Sequence, residues 1–359
     1  VDETERRKTE QLRICLERDV QAKSVKTGFD DVKLVHRCLP EIDLDAVNLS
    51  TTFLNHQFQA PLMISAMTGG SKEAARVNAN LAEAADRLGI GMCVGSQRAA
   101  LENPKLEQTF TVAREKAPKA FISANIGFSE LLHYGLKDIQ RAVDMIEADA
   151  LTIHLNPLQE SLQHEAKPRF KGIGERIQKL TPQLHVPVIV KETGAGVAKE
   201  DAVFLEKAGV KAIDVAGAGG TSWSAVEHYR ALEAGDKDKA KIAGTFWDWG
   251  IPTAISLVEV RSVTSLEIVA SGGLGNGVDV VKALYLGARL GGLATALLDP
   301  ANVSADAVIQ RLNRFIREIK TAMTLVGAKS VDDLRVNPLL IVGTTAEWMR
   351  QRGLSLERR

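Results

Sequence analysis

The segment 151-LTIHLNPLQE-160 decides how the chain is read. It starts as an apolar strand, yet carries His154, Asn156, Gln159 and Glu160 within seven positions. Successive side chains of a strand point to opposite faces. Thr152, His154 and Asn156 therefore share one face, and Leu151, Ile153 and Leu155 the other. Pro157 cannot donate to a ladder and ends the strand, so Gln159 and Glu160 project from the loop beyond it. A strand that turns polar at its C-terminal end suits a parallel barrel, whose chemistry sits on that face.

The same unit recurs outward from this segment: a short apolar run, small or polar residues, then helical spacing. The runs are 61-PLMISAM-67, 90-IGMCVG-95, 120-AFISANIG-127, 150-ALTIHLN-156, 186-VPVIVKETG-194, 211-KAIDVAGAGG-220, 267-EIVASGG-273 and 288-ARLGGLATAL-297. Segments such as 72-KEAARVNANLAEAADRLG-89 and 278-VDVVKALYLG-287 carry helical spacing between them, and both close on Gly. Strands alternating with helices argue for a parallel sheet, and eight units argue for a closed (β/α)8 TIM barrel of the α/β class. The eighth run reads as partly helical. An open doubly wound sheet is the alternative, but 67-MTGGSK-72 lacks the G-x-G-x-x-G turn such a sheet would show after its first strand.

The expected organisation is one domain, 1–359, with the barrel over 59–326. Residues 1–58 form an N-terminal extension, 221–250 a long insertion after strand six, and 327–359 a charged tail without an assigned role. Long loops at this position of a barrel are usually lids or walls.

Composition narrows the function classes. The 359 residues are 45% hydrophobic, enough for a sizeable core. Lys+Arg and Asp+Glu are both 45, so a strongly basic nucleic-acid binder is disfavoured. Cys15, Cys38 and Cys93 are scattered and odd in number, which fits a reducing cytosol and no disulfide or zinc framework. No apolar run spans a bilayer, and 1-VDETERRKTEQL-12 is too charged for a secretory signal. A cytoplasmic protein without membrane or nucleic-acid partners is expected.

Six run ends are polar or glycine-rich: Thr68-Gly69-Gly70, Ser96-Gln97-Arg98, Asn125, Asn156, Lys191-Glu192-Thr193 and Gly219-Gly220-Thr221. A shared site explains that better than coincidence. His154 alone reads equally well as a core histidine satisfied by a neighbouring amide. The glycines of 271-SGGLGNGVDV-280 open a helix after strand seven, where barrels hold phosphate on bare backbone. Lys191, at the end of strand five, either stabilises negative charge, forms a Schiff base or pairs with a carboxylate such as Glu192. Arg7 and Lys8 lie on an amphipathic stretch, 5-ERRKTEQLRICLER-18, which by spacing alone reads as a solvated face. These residues suit a flavin mononucleotide or a phosphosugar enzyme, and chemistry alone does not choose between them.

The motifs 66-AMTGG-70, 95-GSQR-98, 124-ANIG-127, 154-HLNPLQE-160, 190-VKETGAG-196, 214-DVAGAGGTSW-223, 250-GIPT-253 and 270-ASGGL-274 resemble, in order, those of the type 2 isopentenyl diphosphate isomerases. The resemblance runs from Arg7 to about Thr295. It implies an FMN-dependent barrel that interconverts isopentenyl and dimethylallyl diphosphate. Mg2+, reduced flavin and NADPH as reductant are implied with it, as is a homo-oligomer, tetramer or octamer. Carried over by motif, Ala66, Met67, Thr68, Ser96, Asn125, Lys191 and Thr221 would hold the flavin. Gly273, Leu274, Gly275, Ala294 and Thr295 would hold its phosphate. Arg7, Lys8, Ser96, Gln97 and Arg98 would hold the substrate diphosphate. Gln159 would face the substrate as an orienting or proton-relay group, Glu160 would bind Mg2+, and His154 and Asn156 would wall the catalytic pocket. Gln11 stands where the family usually has His, and Gly275 where a longer residue is common. The alternatives are a redox flavin enzyme of the same fold and a non-catalytic flavin- or phosphate-binding barrel.

Overall fold

The computed structural model describes residues 3–163 and 168–356. Eight parallel strands close on themselves: β1 Leu62–Ile64, β2 Gly91–Cys93, β3 Ile122–Gly127, β4 Ala150–His154, β5 Val188–Lys191, β6 Ala212–Asp214, β7 Glu267–Ala270 and β8 Leu290–Leu293. Each pairs with the next in sequence, and β8 returns to β1 with Gly291 opposite Leu62 and Leu293 opposite Ile64. Every apolar run of the sequence supplies one strand. The eighth divides into β8 and the start of helix Thr295–Val303, which accounts for its mixed pattern. Closure leaves the barrel no unpaired edge and excludes the open sheet.

Alternation along the strands builds two cores. Leu62, Ile64, Leu151, Ile153, Val188 and Val190 face outward into the core beneath the helices. Met63, Cys93, Ala150, Ile189, Ala212, Val269 and Leu290 fill the barrel interior. Toward the C-terminal ends the interior turns polar: Ser123 Oγ meets Thr152 Oγ1 at 2.7 Å, and Lys191 Nζ lies 3.2 Å from an Asp214 oxygen. The interior is thus apolar at one end and polar at the other.

The apolar end is plugged. The N-terminal extension folds into a hairpin, Thr51–Phe53 with His56–Phe58, whose Phe53 and Phe58 join the interior cluster. Phe53 stands edge-on to Phe58 and Phe121, at 6.1 and 5.9 Å between ring centres. Leu54 N donates to Glu267 Oε2 at 2.6 Å, fixing the hairpin to the first residue of β7.

The helices obey the expected start and stop signals. In helix Lys72–Leu88 the Ser71 side chain accepts from Ala74 N, and Gly89 ends the helix in the left-handed region at φ 60°. The insertion after β6 forms helices Trp223–Glu233 and Lys237–Thr245. The tail, silent in sequence, is a latch. Strand Leu339–Ile341 pairs with Val32–Leu34 of the extension. Helix Gly343–Arg352 packs on helix Thr253–Arg261, where the buried Glu259 accepts from Trp348 Nε1 and Arg352 Nε, both at 2.8 Å. Among the described residues, no helix is long and apolar enough to cross a membrane.

Phe53→Ala leaves a void at the plug that the rigid barrel wall cannot fill. It is expected to lower the unfolding free energy by about 3–5 kcal/mol, measured by chemical denaturation.

Candidate active site

A cavity of about 480 Å³ opens at the polar end of the barrel. It is lined from the N-terminal helix Glu3–Glu17, from the insertion and from the loops after the strands. Arg7, Lys8, Ala66, Met67, Thr68, Ser96, Arg98, Asn125, His154, Asn156, Gln159, Glu160, Lys191, Thr221, Gly273, Leu274, Gly275, Ala294 and Thr295 all line it. Gln97 does not. Its side chain is fully buried the other way, donating to Ala142 O at 2.8 Å and accepting from Asn125 N at 2.9 Å. It braces the turn between Ser96 and Arg98 and offers nothing to a substrate.

At the centre, Lys191 pairs with Asp214 rather than with Glu192. Neighbours on a strand face opposite ways, whereas Lys191 and Asp214 are direct partners in the β5–β6 register. Ser271 Oγ donates to Asp214 Oδ1 at 2.6 Å and lies 3.3 Å from Lys191 Nζ. Lys191 takes only the main-chain oxygen of Glu192, at 3.0 Å. The Glu192 carboxylate instead accepts from Thr193 N and Ala195 N, and burial pushes it up to about 7 despite those donors.

One wall is neutral. His154 Nδ1 lies 2.9 Å from Asn125 Oδ1. The Asn125 amide nitrogen donates to Val94 O at 3.0 Å, so its oxygen is the acceptor and the His154 proton sits on Nδ1. Burial pulls His154 down to about 4; Lys191, Lys8 and Arg7 add to this and Glu130 opposes it. Asn156 Nδ2 donates to Gln159 Oε1 at 2.9 Å and to Glu160 Oε1 at 3.3 Å. Gln159 Nε2 donates to Glu227 Oε1 at 3.2 Å, and Gln11 Nε2 reaches the same oxygen at 3.1 Å.

A cationic cluster adjoins this wall. Lys8 Nζ donates to Ser96 O at 2.6 Å, and Arg7 Nη1 to Gln163 Oε1 at 3.2 Å. Arg98 bonds Glu102 at 2.8 Å, with Glu130 at 3.7 Å. Burial, and then Arg7, draw Lys8 down to about 7; Glu130 opposes and Arg98 adds. Burial pushes Glu160 above the usual carboxylate range, against the pull of Arg7. Arg7 and Lys8 belong to the site and not to a solvated face, because their helix lies across the mouth.

Loops after β6, β7 and β8 meet on bare backbone. A Cβ on Gly220 would lie 2.5 Å from Gly273 N. Gly273 has φ 76°, a conformation that favours glycine. Thr221 Oγ1 and Thr295 Oγ1 are 2.7 Å apart and tie two of these loops together.

This geometry can be set beside known proteins. The chain is 49% identical to the isopentenyl-diphosphate delta-isomerase of Thermococcus kodakarensis, over 96% of this chain and 94% of that one. It is 46% identical to the protein of the same name from Methanosarcina barkeri, over 99% and 97%. The chain belongs to the isopentenyl-diphosphate delta-isomerase family. A family model for FMN-dependent dehydrogenases also matches residues 3–121 and 157–340. Among solved structures, a mandelate oxidase with (S)-2-phenylpropionate superposes with a TM-score of 0.62 at 19% identity, covering 94% of this chain and 97% of that one. At that identity the likeness speaks for the fold alone.

Within this isomerase family member, sequence reasoning missed three buried carboxylates: Asp214, Glu227 and Glu130, which lines the cavity and accepts from Gly127 N at 2.6 Å. Asp214 was legible, since alternation puts it on the inward face of β6 beside Lys191. Glu227 was not. It sits on an insertion helix, and nothing in 223-WSAVEHYRALE-233 marks it as the partner of Gln159, Gln11 and Arg230, the last at 2.7 Å.

His154 should stay neutral through the physiological range. In a histidine-labelled NMR titration its ring signals are expected to keep the neutral-imidazole pattern between about pH 5.5 and 8, without the large change that protonation brings, whereas an unperturbed histidine would titrate near about 6.5.

Proposed function

We propose that this chain interconverts isopentenyl diphosphate and dimethylallyl diphosphate by moving a proton across the alkene, using reduced FMN, Mg2+ and NADPH as the reductant. The carrying observation is one cavity in which Arg7, Lys8 and Arg98 converge on the mouth while His154, Asn156 and Gln159 form a neutral wall. Such a site can hold a diphosphate on its cations with an uncharged hydrocarbon against the neutral groups beside them.

The residues fit a flavin mononucleotide. Ser65 Oγ is buried, lines the cavity and lacks a hydrogen-bond partner. Gly220 and Gly273 pack main chain on main chain and line the cavity at the phosphate-binding position of this fold. Ala66, Met67, Thr68, Ser96, Asn125, Lys191 and Thr221 would surround the flavin, and Gly273, Leu274, Ala294 and Thr295 its phosphate. Bound and reduced, the flavin supplies the proton donor and acceptor that the alkene requires.

The chain's own groups do the rest. Lys191 presents positive charge at the centre, held in place by Asp214 and Ser271. Asn156 and Glu227 hold the Gln159 amide from its two ends, so that it orients the alkene. Neutral His154 withholds a charge that would favour water over hydrocarbon. Glu160 would ligate Mg2+. Among the described residues no group of three or more His, Cys, Asp or Glu is placed to hold a metal, so diphosphate and water would complete the shell, as Mg2+ prefers. A cytoplasmic homo-oligomer, tetramer or octamer, belongs to the same proposal; exposed Leu39, Val336 and Leu340 offer apolar surface for such contacts.

Anaerobic incubation with FMN, NADPH, Mg2+ and isopentenyl diphosphate should yield the dimethylallyl isomer. Glu160→Gln should abolish activity or its Mg2+ requirement. A flavin-loaded protein that makes no isomer sinks the reading, and a Glu160→Gln enzyme with unchanged Mg2+ dependence rejects the metal ligand.

Lys8 adds a pH signature. Below about 7 it is charged and supports the diphosphate. Above that, the ligand must draw a proton onto it, so KM is expected to rise with pH by up to about tenfold per unit. Lys8→Arg, whose guanidinium keeps its charge, should flatten the profile from pH about 7 to 9.

A further inference from the structure

We propose that Arg311 binds the phosphate of the flavin mononucleotide, as the one cationic side chain of that end of the cavity among the described residues. The inference rests on the flavin reading above and adds a residue to it. Arg311 belongs to helix Ala305–Val326, outside every motif that carries the resemblance, and it lines the cavity together with Gly273–Gly275 and Ala294–Ala296.

Its position follows from helix packing. Helix Ala305–Val326 packs against both helix Gly277–Tyr285 and helix Thr295–Val303, the two elements that begin at the loops after β7 and β8. Contact is closest at Gly277, where a Cβ would lie 2.6 Å from Phe315 O and 2.7 Å from Ile319 N. Arg311 stands one turn before Phe315, on the same face, with its guanidinium 5.3 Å from that ring. The buried ring thus steadies the guanidinium on the side of the helix that meets the end of the glycine loop at Gly277.

The charge pattern then singles it out. The other cavity cations have protein partners: Lys191 has Asp214, Arg98 has Glu102, Arg7 has Gln163 and Lys8 has Ser96 O. Arg311 makes no hydrogen bond and no ion pair within 4.0 Å among the described residues. The acid on its helix that feels its charge, Glu318, already accepts from Gly277 N at 2.7 Å and from Arg314 at 2.9 Å. The loop cannot supply the missing charge. Gly275 has no side chain, and its N–H is committed to Asp279 Oδ2 at 3.0 Å. That carboxylate beside the loop makes a compensating cation more necessary for a dianionic phosphate. A guanidinium with unused donors matches phosphate in a two-pronged way.

The test compares FMN with riboflavin, which lacks the phosphate. Full-length protein stripped of flavin is titrated with each, following quenching of flavin fluorescence. Arg311→Gln is expected to weaken FMN by about tenfold or more and to collapse the preference of FMN over riboflavin. Arg311→Lys should restore part of that preference. Arg317→Gln, on the outer groove face of the same helix, is the charge-matched control and should leave it in place. The proposal is overturned if Arg311→Gln keeps the wild-type ratio of affinities within about twofold, or if Arg317→Gln lowers it equally. A wild-type chain that binds neither flavin removes the flavin reading itself, and this inference with it.

Discussion

Glu227 is 1% exposed, and its two oxygens hold together three stretches of chain far apart in sequence. One oxygen accepts from Gln11 of the N-terminal helix and from Gln159 of the loop after β4; the other accepts from Arg230. Arg230 reaches on to Glu10, 3.3 Å away. A carboxylate buried this deeply persists only when its lone pairs are met, and stripping a partner from such a pair typically costs about 3–5 kcal/mol. The helix bearing Arg7 and Lys8 is therefore not free to sit elsewhere while Gln159 stays in place. Cationic side and neutral wall are set by a single node.

A second buried pair does the same for the centre of the mouth. Lys191 and Asp214 face each other across adjacent strands, with Ser271 bridging from β7's end. The barrel supplies the geometry, since only inward positions of neighbouring strands bring a lysine and an aspartate to 3.2 Å without displacing the apolar layer beneath. The two nodes differ in what they constrain. The central pair is built from strands and is rigid. The Glu227 node is built from loop and terminal helices, the elements a barrel can vary without disturbing its fold.

How much of this was readable from the sequence follows the physics of each feature. The eight strands were legible because burial on the outward face demands an apolar residue at every second position, and 150-ALTIHLN-156 shows this plainly. The direction of His154 and the inward set of polar ends came from the same rule. Gln97 misled because a motif places a residue near a site without saying which way its side chain turns; here it turns outward to Ala142 O. Glu192 misled because adjacency in sequence looks like proximity, whereas strand geometry parts neighbours. The latch of helix Gly343–Arg352 onto Glu259 was invisible, since a charged tail carries the same composition whether it is solvated or docked. Glu227 depends on three segments meeting, and no local pattern encodes that.

The phenylalanine hairpin at the foot of the barrel has a consequence for traffic. With Phe53 and Phe58 packed into the interior, the barrel is a blind well and not a tunnel. Arrival and departure share one doorway, the doorway crossed by the N-terminal helix and the insertion. Occupants of a blind well stack: what lies deepest enters first and leaves last. A molecule resting near Lys191 would thus leave only past whatever sits between Arg98 and Glu160.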